Sequence, residues 1–172
     1  MRTIIYLAAS ANGLISNNRN VPDWLSQEYG EGFMAISLRT QAVIMGKTTY
    51  NVLAPDYLPI KEGSLVVLTH NTMAEPAQSN VLFTDDSPEK IIEQLAARGH
   101  TEAVIIGGTQ TVSAFVKAGL VNEIILVVEP VLFGNGLPLL KDIEEAEYKL
   151  SLLEVNKLNN NTVQLHYSIT NN

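Results

Sequence analysis

Gly107 and Gly108 stand between the apolar run Val104-Ile105-Ile106 and the polar Thr109-Gln110-Thr111, an order of residue types that suits the capture of an anion. Three β-branched residues favour a buried strand. The glycines let the backbone turn sharply and keep side chains out of a ligand's way. Thr109 reads as the N-cap of a helix whose apolar stripe is Val112, Phe115 and Val116, closed by Gly119. The first N–H groups of such a helix lack partners, and a phosphate fits where they converge. A second stretch repeats the layout: Ala42 to Met45, then Gly46, then Lys47-Thr48-Thr49-Tyr50 opening a short helix. Lys47 brings a cation to that turn, and Thr48 and Thr49 bring hydroxyl donors. Neither turn is the dinucleotide fingerprint G-x-G-x-x-G, and the glycine pair lies past the middle of the chain. An ordinary Rossmann dehydrogenase is therefore disfavoured.

Proton chemistry would need acids, and the sequence offers two on one helix. Asp23 is expected to cap a helix running from about Trp24 to Leu38. Leu25, Tyr29, Phe33 and Ile36 share its core face, while Trp24, Glu28, Glu31, Ala35 and Leu38 form a second flank. Glu28 and Glu31 either border a cavity, where desolvation raises a carboxyl pKa, or point to solvent. Gly30 and Gly32 weaken this helix, which close approach of a ligand or a strand would explain. Thr69-His70-Asn71 ends another strand, Ser64 to Thr69, and gathers three polar groups at its edge.

The remaining elements must position these groups. Thr3 to Ala9 reads as a buried first strand, followed by a loop, Ser10 to Ser16, with Leu14 and Ile15 set inside it as a pocket cover. Pro55 and Pro59 bracket a loop. Asn80 to Thr84 is a strand, and Ser87-Pro88-Glu89 opens a helix that carries Ile91, Ile92 and Leu95 inward. Glu123 to Phe133 is expected to be one long strand with a bulge or edge position at Pro130. Gly134 to Leu139 reads as a glycine-rich loop, and Tyr148 to Leu158 with Thr162 to Thr170 as a terminal hairpin. If the strands ending at Ala9, Met45, Leu68 and Ile106 are parallel neighbours, their loops converge on one ligand site.

Composition sets the outer limits. The 172 residues are most simply one domain, and no apolar run nears the ~20 residues that span a bilayer. With no cysteine, disulfides and thiolate-bound metal are excluded, and a cytoplasmic setting is expected. A net charge of −7 makes a general nucleic-acid binder a poor reading, so any anion must be held locally.

The segments AASANGLIS, DWL, VIMGKTTY, VVLTHN and VIIGGTQTVSAFVKAGLVNEIILVVEPVLFGNGLPLL resemble, in order and spacing, the dihydrofolate reductase-like family. The branch they most resemble is the reductase domain of riboflavin biosynthesis and its stand-alone bacterial relatives. The resemblance covers nearly the whole chain. It implies an α/β three-layer sandwich, with a mostly parallel twisted sheet, an antiparallel C-terminal hairpin and helices on both faces. It also implies NADPH across the strand ends. By that likeness Gly46, Lys47, Thr48 and Thr49 hold cofactor phosphates, and Leu68, Thr69 and His70 line the adenosine side. Gly107, Gly108, Thr109, Gln110, Thr111 and Val112 wrap the pyrophosphate, with a cis bond between the two glycines, and Ala8 and Ile15 meet the nicotinamide.

The reaction implied is hydride transfer to a pyrimidine- or pteridine-like heterocycle, most closely that of a 5-amino-6-(5-phosphoribosylamino)uracil reductase. A dihydrofolate reductase proper, and an NADPH-binding protein without turnover, are the alternatives. Glu31, with Glu28 behind it, is the acid the resemblance suggests, and Asn12, Trp24 and Glu31 would face the substrate. Many relatives read S-L-D-G where this chain has Ser10-Ala11-Asn12-Gly13, which puts the substrate's identity in question. A homodimer is expected, because the hairpin and long strand offer apolar edges to a partner.

Overall fold

A computed structural model describes residues 1–19, 21–53, 60–72, 78–143 and 147–170. The loop expected between Pro55 and Pro59 lies outside the described residues. Runs of apolar β-branched residues become strands: β1 (Arg2–Ser10), β2 (Leu14–Asn17), β3 (Ala42–Gly46), β4 (Ser64–Leu68), β5 (Val81–Thr84), β6 (Glu102–Ile105) and β7 (Glu123–Glu129). They are followed by a short β8 (Gly136–Pro138) and the hairpin β9 (Lys149–Lys157) and β10 (Val163–Thr170). The helices are α1 (Gln27–Thr40), α2 (Lys47–Leu53), α3 (Pro88–Ala97) and α4 (Thr109–Lys117).

The main sheet has the order β5-β4-β3-β6-β1-β7-β10-β9. Its first six strands are parallel, and only the C-terminal hairpin runs antiparallel. Alternation along each strand splits the core in two. Tyr6, Ala8, Val43 and Met45 face α1 and α2, while Ile5, Leu7 and Ile44 face α3 and α4. Helices therefore cover both faces of a sheet whose strands are apolar on both sides, as expected for buried parallel strands. The strands ending at Ala9, Met45, Leu68 and Ile106 are sheet neighbours that point the same way, so their loops do meet above one edge.

Four expectations about the elements need correction. The segment with Leu14 and Ile15 is not a plain loop, because Leu14–Asn17 pairs antiparallel with β8. The long strand stops at Glu129, since Pro130 has no N–H to offer the ladder. The cap of α1 is Ser26, not Asp23: Ser26 Oγ accepts the Tyr29 N–H at 3.2 Å, and Asp23 pairs with Arg19. The cap of α4 is Gly108, and Thr109 is already the first helical residue.

Two contacts fix α1 against the sheet. Gly32 lies so close to β1 that a Cβ there would overlap the Tyr6 hydroxyl, whereas Gly30 faces open space. Close approach to a strand thus explains one glycine and not the other. The Tyr6 hydroxyl donates to the Tyr29 carbonyl at 3.0 Å, and the two rings stack at 5.2 Å. Burial pushes both phenols above their ordinary pKa, so they stay neutral donors. The second contact is Glu129, only 1% exposed at the end of β7. It accepts from Ser26 N at 3.0 Å, Ser26 Oγ at 2.7 Å and Thr162 Oγ1 at 3.1 Å. One carboxyl therefore ties the start of α1 and the turn of the terminal hairpin to β7.

Each contact makes a prediction for urea denaturation. Gly32→Ala is expected to destabilise the fold by about 1–3 kcal/mol through overpacking, and to lose most of that cost in a Tyr6→Phe background. Glu129→Ala, which leaves the buried Thr162 hydroxyl and the two half-buried donors of Ser26 without this acceptor, is expected to cost about 2–4 kcal/mol. Glu129→Gln keeps an acceptor and is expected to cost less.

Candidate functional site

At the C-terminal ends of the parallel strands lies one open cleft of about 730 Å³, a size usual for small-molecule and cofactor sites. Its floor is made by the two glycine turns. The Gly46 N–H donates to the Gly107 carbonyl at 2.8 Å, so the turn after β3 and the turn after β6 are laced together. A methyl group on Gly46 would sit 2.9 Å from Thr111 Oγ1, and one on Gly107 would sit 3.2 Å from Leu7 Cδ2. Gly107 has φ of +111°, a conformation that favours glycine, and its bond to Gly108 is cis. Bare backbone at this floor keeps the cradle open.

Donors surround it. No side chain caps α4, so the N–H groups of its first turn have no partner within the helix. The Thr109 hydroxyl is spent on the Pro138 carbonyl at 2.6 Å, which holds β8 over the helix start. Lys47 Nζ stands 3.9 Å from the centroid of Phe83 and 4.6 Å from that of Tyr50. These cation–π contacts fix the ammonium at one end of the cleft. Thr69, His70, Thr84, Asp85 and Asp86 line the same end, and Asp86 is already held by Lys90 at 2.6 Å and Gln94 at 2.9 Å. Beyond the floor the lining turns apolar: Ala8, Ile15, Trp24, Leu25, Tyr29 and Phe33. Trp24 is braced edge-on by Phe133 at 5.1 Å.

Most of the residues read from the sequence meet in this one cleft. Ala8, Ile15, Trp24, Gly46, Lys47, Thr48, Thr49, Leu68, Thr69, His70, Gly107, Gly108, Thr109, Gln110 and Thr111 all line it. Four do not. Val112 is fully buried in the core beneath α4, because the first helical turn carries it under the glycine pair. Asn12 is a clip: its side chain accepts from Phe133 N at 3.1 Å and donates to Phe133 O at 2.8 Å. An amide can do both and a carboxylate cannot, which accounts for Asn at this position. Glu31 is exposed and accepts from Gln27 on its own helix at 2.7 Å. Glu28 faces the hairpin turn and accepts from Asn159 Nδ2 at 2.9 Å. A backbone hydrogen bond and then Asn159 hold its carboxyl below the ordinary pKa. Of the two outcomes open for these acids, neither borders the cleft: Gln27 holds Glu31 on the exposed side of α1 and Asn159 holds Glu28 toward the hairpin turn.

Lys141, Asp85, Asp86 and Tyr29 also line the cleft without having been singled out for it. Tyr29 was read as a core residue from its spacing. Asp85 and Asp86 follow the end of a strand and were legible as such. Nothing in the spacing around Lys141 marks it, since β8 and the Ser113 hydroxyl, which accepts the Lys141 N–H at 2.9 Å, place it.

Comparison with known proteins gives the same picture. The uncharacterised protein YwjB of Bacillus subtilis is 30% identical over 96% of this chain and 97% of its own length. A pyrimidine reductase-like protein from Corynebacterium diphtheriae superposes with a TM-score of 0.81 at 16% identity, covering 99% of this chain and 92% of that one. A Thermotoga maritima diaminohydroxyphosphoribosylaminopyrimidine deaminase/5-amino-6-(5-phosphoribosylamino)uracil reductase superposes with a TM-score of 0.77 at 16% identity, over 98% of this chain and 56% of that one. Those two likenesses carry the fold, a reductase-domain sandwich of the dihydrofolate reductase type. Residues 2–164 match the RibD C-terminal domain, and the chain belongs to that family.

Proposed function

We propose that the protein is an NADPH-dependent oxidoreductase that reduces a flat heterocycle. The observation that carries this reading is the Gly46–Gly107 hydrogen bond, which makes two glycine turns, distant in sequence, into the floor of one cleft. The donor set fits a dinucleotide. Unpartnered N–H groups at the start of α4 and the Thr111 hydroxyl suit the pyrophosphate. Lys47, with Thr48 and Thr49, suits the extra phosphate that distinguishes NADPH from NADH. Thr69 and His70 suit the adenosine end. When bound, the cofactor would supply a hydride to a C=N or carbonyl-derived carbon of the substrate, whose nitrogen or oxygen would gain a proton.

The chain's own part is to orient and to exclude water. Ala8, Ile15, Trp24 and Phe33 form a mostly apolar chamber beside the glycine floor, a lining that suits flat rings. Because Glu28 and Glu31 point elsewhere, the proton comes from solvent at the open mouth, and no acid of α1 is used. The family's reductase relationship supports the reaction class, and the aminouracil named for the Thermotoga protein is the first substrate to try.

Titration of the purified protein with NADPH and NADH tests the cofactor, and loss of reduced-nicotinamide absorbance with a panel of pyrimidines, pterins and flavins tests turnover. Lys47→Ala is expected to weaken NADPH by 10-fold or more while changing NADH by less than 3-fold. Equal loss for both would remove Lys47 from the 2′-phosphate. NADPH binding without oxidation by any ring would favour a binding protein that does not turn over.

A further inference from the structure

The two halves of the cleft differ in charge, and that difference bears on what can be reduced there. All eleven Lys and Arg residues fall among the described residues, so every cation can be placed. Two of them line the cleft, Lys47 and Lys141. Lys47 is fixed over Phe83 and Tyr50 at the far, polar end, and the backbone N–H of Lys141 is held by the Ser113 hydroxyl of α4. Both are anchored on the helices that open with the two glycine turns, the side that suits the dinucleotide. Arg2 and Arg39 are paired with Glu102 and Glu123 at the opposite end of the sheet. Arg98 donates to Ser64 there, and Lys90 is held by Asp86. Lys61 precedes β4, Lys117 ends α4, and Lys149 and Lys157 lie on β9. Arg19 stands two residues before Val21, which lines the cleft, yet it is paired with Asp23 and does not line the cleft itself.

The start of α1 is the other place, in the apolar half, where an anion could have been held. There Glu129 already takes the Ser26 N–H at 3.0 Å and the Ser26 hydroxyl at 2.7 Å, and Glu28 adds a second carboxylate in the first turn. A helix start so occupied repels a further negative group instead of attracting one. Around it stand Trp24, Leu25, Phe33 and Leu53, where a phosphate without a cation would be strongly desolvated.

We propose that the molecule reduced in this cleft is an uncharged, flat, aromatic heterocycle bearing no phosphate. The proposal rests on the dinucleotide reading above, and it departs from the phosphoribosyl substrate named for the Thermotoga relative. The step would balance without any further reactant: a C=N carbon of the heterocycle or of its amino substituent would take a hydride from NADPH, its nitrogen a proton from solvent, and NADP⁺ would be left. The substrate's phosphate has no part in that exchange, and among the described residues no Lys or Arg besides Lys47 and Lys141 lines the cleft to grip it.

Matched pairs differing only in the phosphate provide the test. Binding to the NADP⁺-loaded protein is measured by calorimetry for 5-amino-6-(ribosylamino)uracil against its 5′-phosphate, and for riboflavin against its 5′-phosphate. In at least one pair the unphosphorylated ring is expected to bind 10-fold or more tightly than its phosphate, and Arg19→Ala to leave that preference unchanged. Equal or tighter binding of the phosphorylated member in either pair overturns the proposal, as does failure of both unphosphorylated rings to bind at millimolar concentration. Failure of NADP⁺ itself to bind is a separate result, seen before any ring is added, and it would remove the dinucleotide reading along with this one.

Discussion

The site depends on one backbone hydrogen bond, from the Gly46 N–H to the Gly107 carbonyl at 2.8 Å. Strands β3 and β6 are paired only at Val43–Val104 and Ile44–Ile105, so beyond that ladder their ends would be free to diverge. The glycine bond, helped by Ile106 N–H to Ile44 O at 3.0 Å, keeps them together past the last sheet pair. It also brings the start of α4 to the side of Thr48 and Thr49, because Thr49 Oγ1 faces both glycines of the pair. A side chain at Gly46 would strike Thr111 before a ligand could enter. Bare backbone is thus a steric requirement of the floor, not a matter of flexibility.

Around that floor the sheet divides the labour. The starts of α2 and α4 present a cation, backbone donors and hydroxyls on one side, and α1 presents a second face of rings and aliphatic groups. What keeps the second face dry is α1, which Gly32 lets settle against Tyr6 and which Glu129 pins at Ser26. Buried parallel strands supply a rigid base for both. Cofactor and substrate chemistry can then differ sharply over a short span, because different helices deliver the lining on either side of the glycine pair.

Much of this was legible in the residues. Runs such as Val104 to Ile106 and Ala42 to Met45 announce buried strands, and the glycine, cation and hydroxyl order after them announces the polar half of the cleft. What escaped depends on contacts between distant residues. Asp23 is a good N-cap by type, but Ser26 wins because Glu129, over a hundred positions away, holds it. That displacement leaves Trp24 outside the helix, so its place in the cleft says nothing about Glu28 and Glu31, which Asn159 and Gln27 hold elsewhere. Asn12 looked like a substrate group because it follows a strand end, whereas its amide is matched to both polar groups of Phe133. The pairing of β2 with β8 joins two segments that each read as loop. Lys141 reaches the cleft only through it.

The most direct measurement is of backbone amide shifts in a ¹⁵N-labelled sample titrated with NADPH. If the two glycine turns seat a single dinucleotide, the amides of residues 47–49 and those of 108–111 will move together and yield one dissociation constant. Movement of one set with the other unchanged, or two constants that differ, would contradict a shared floor and leave the cleft without its ligand.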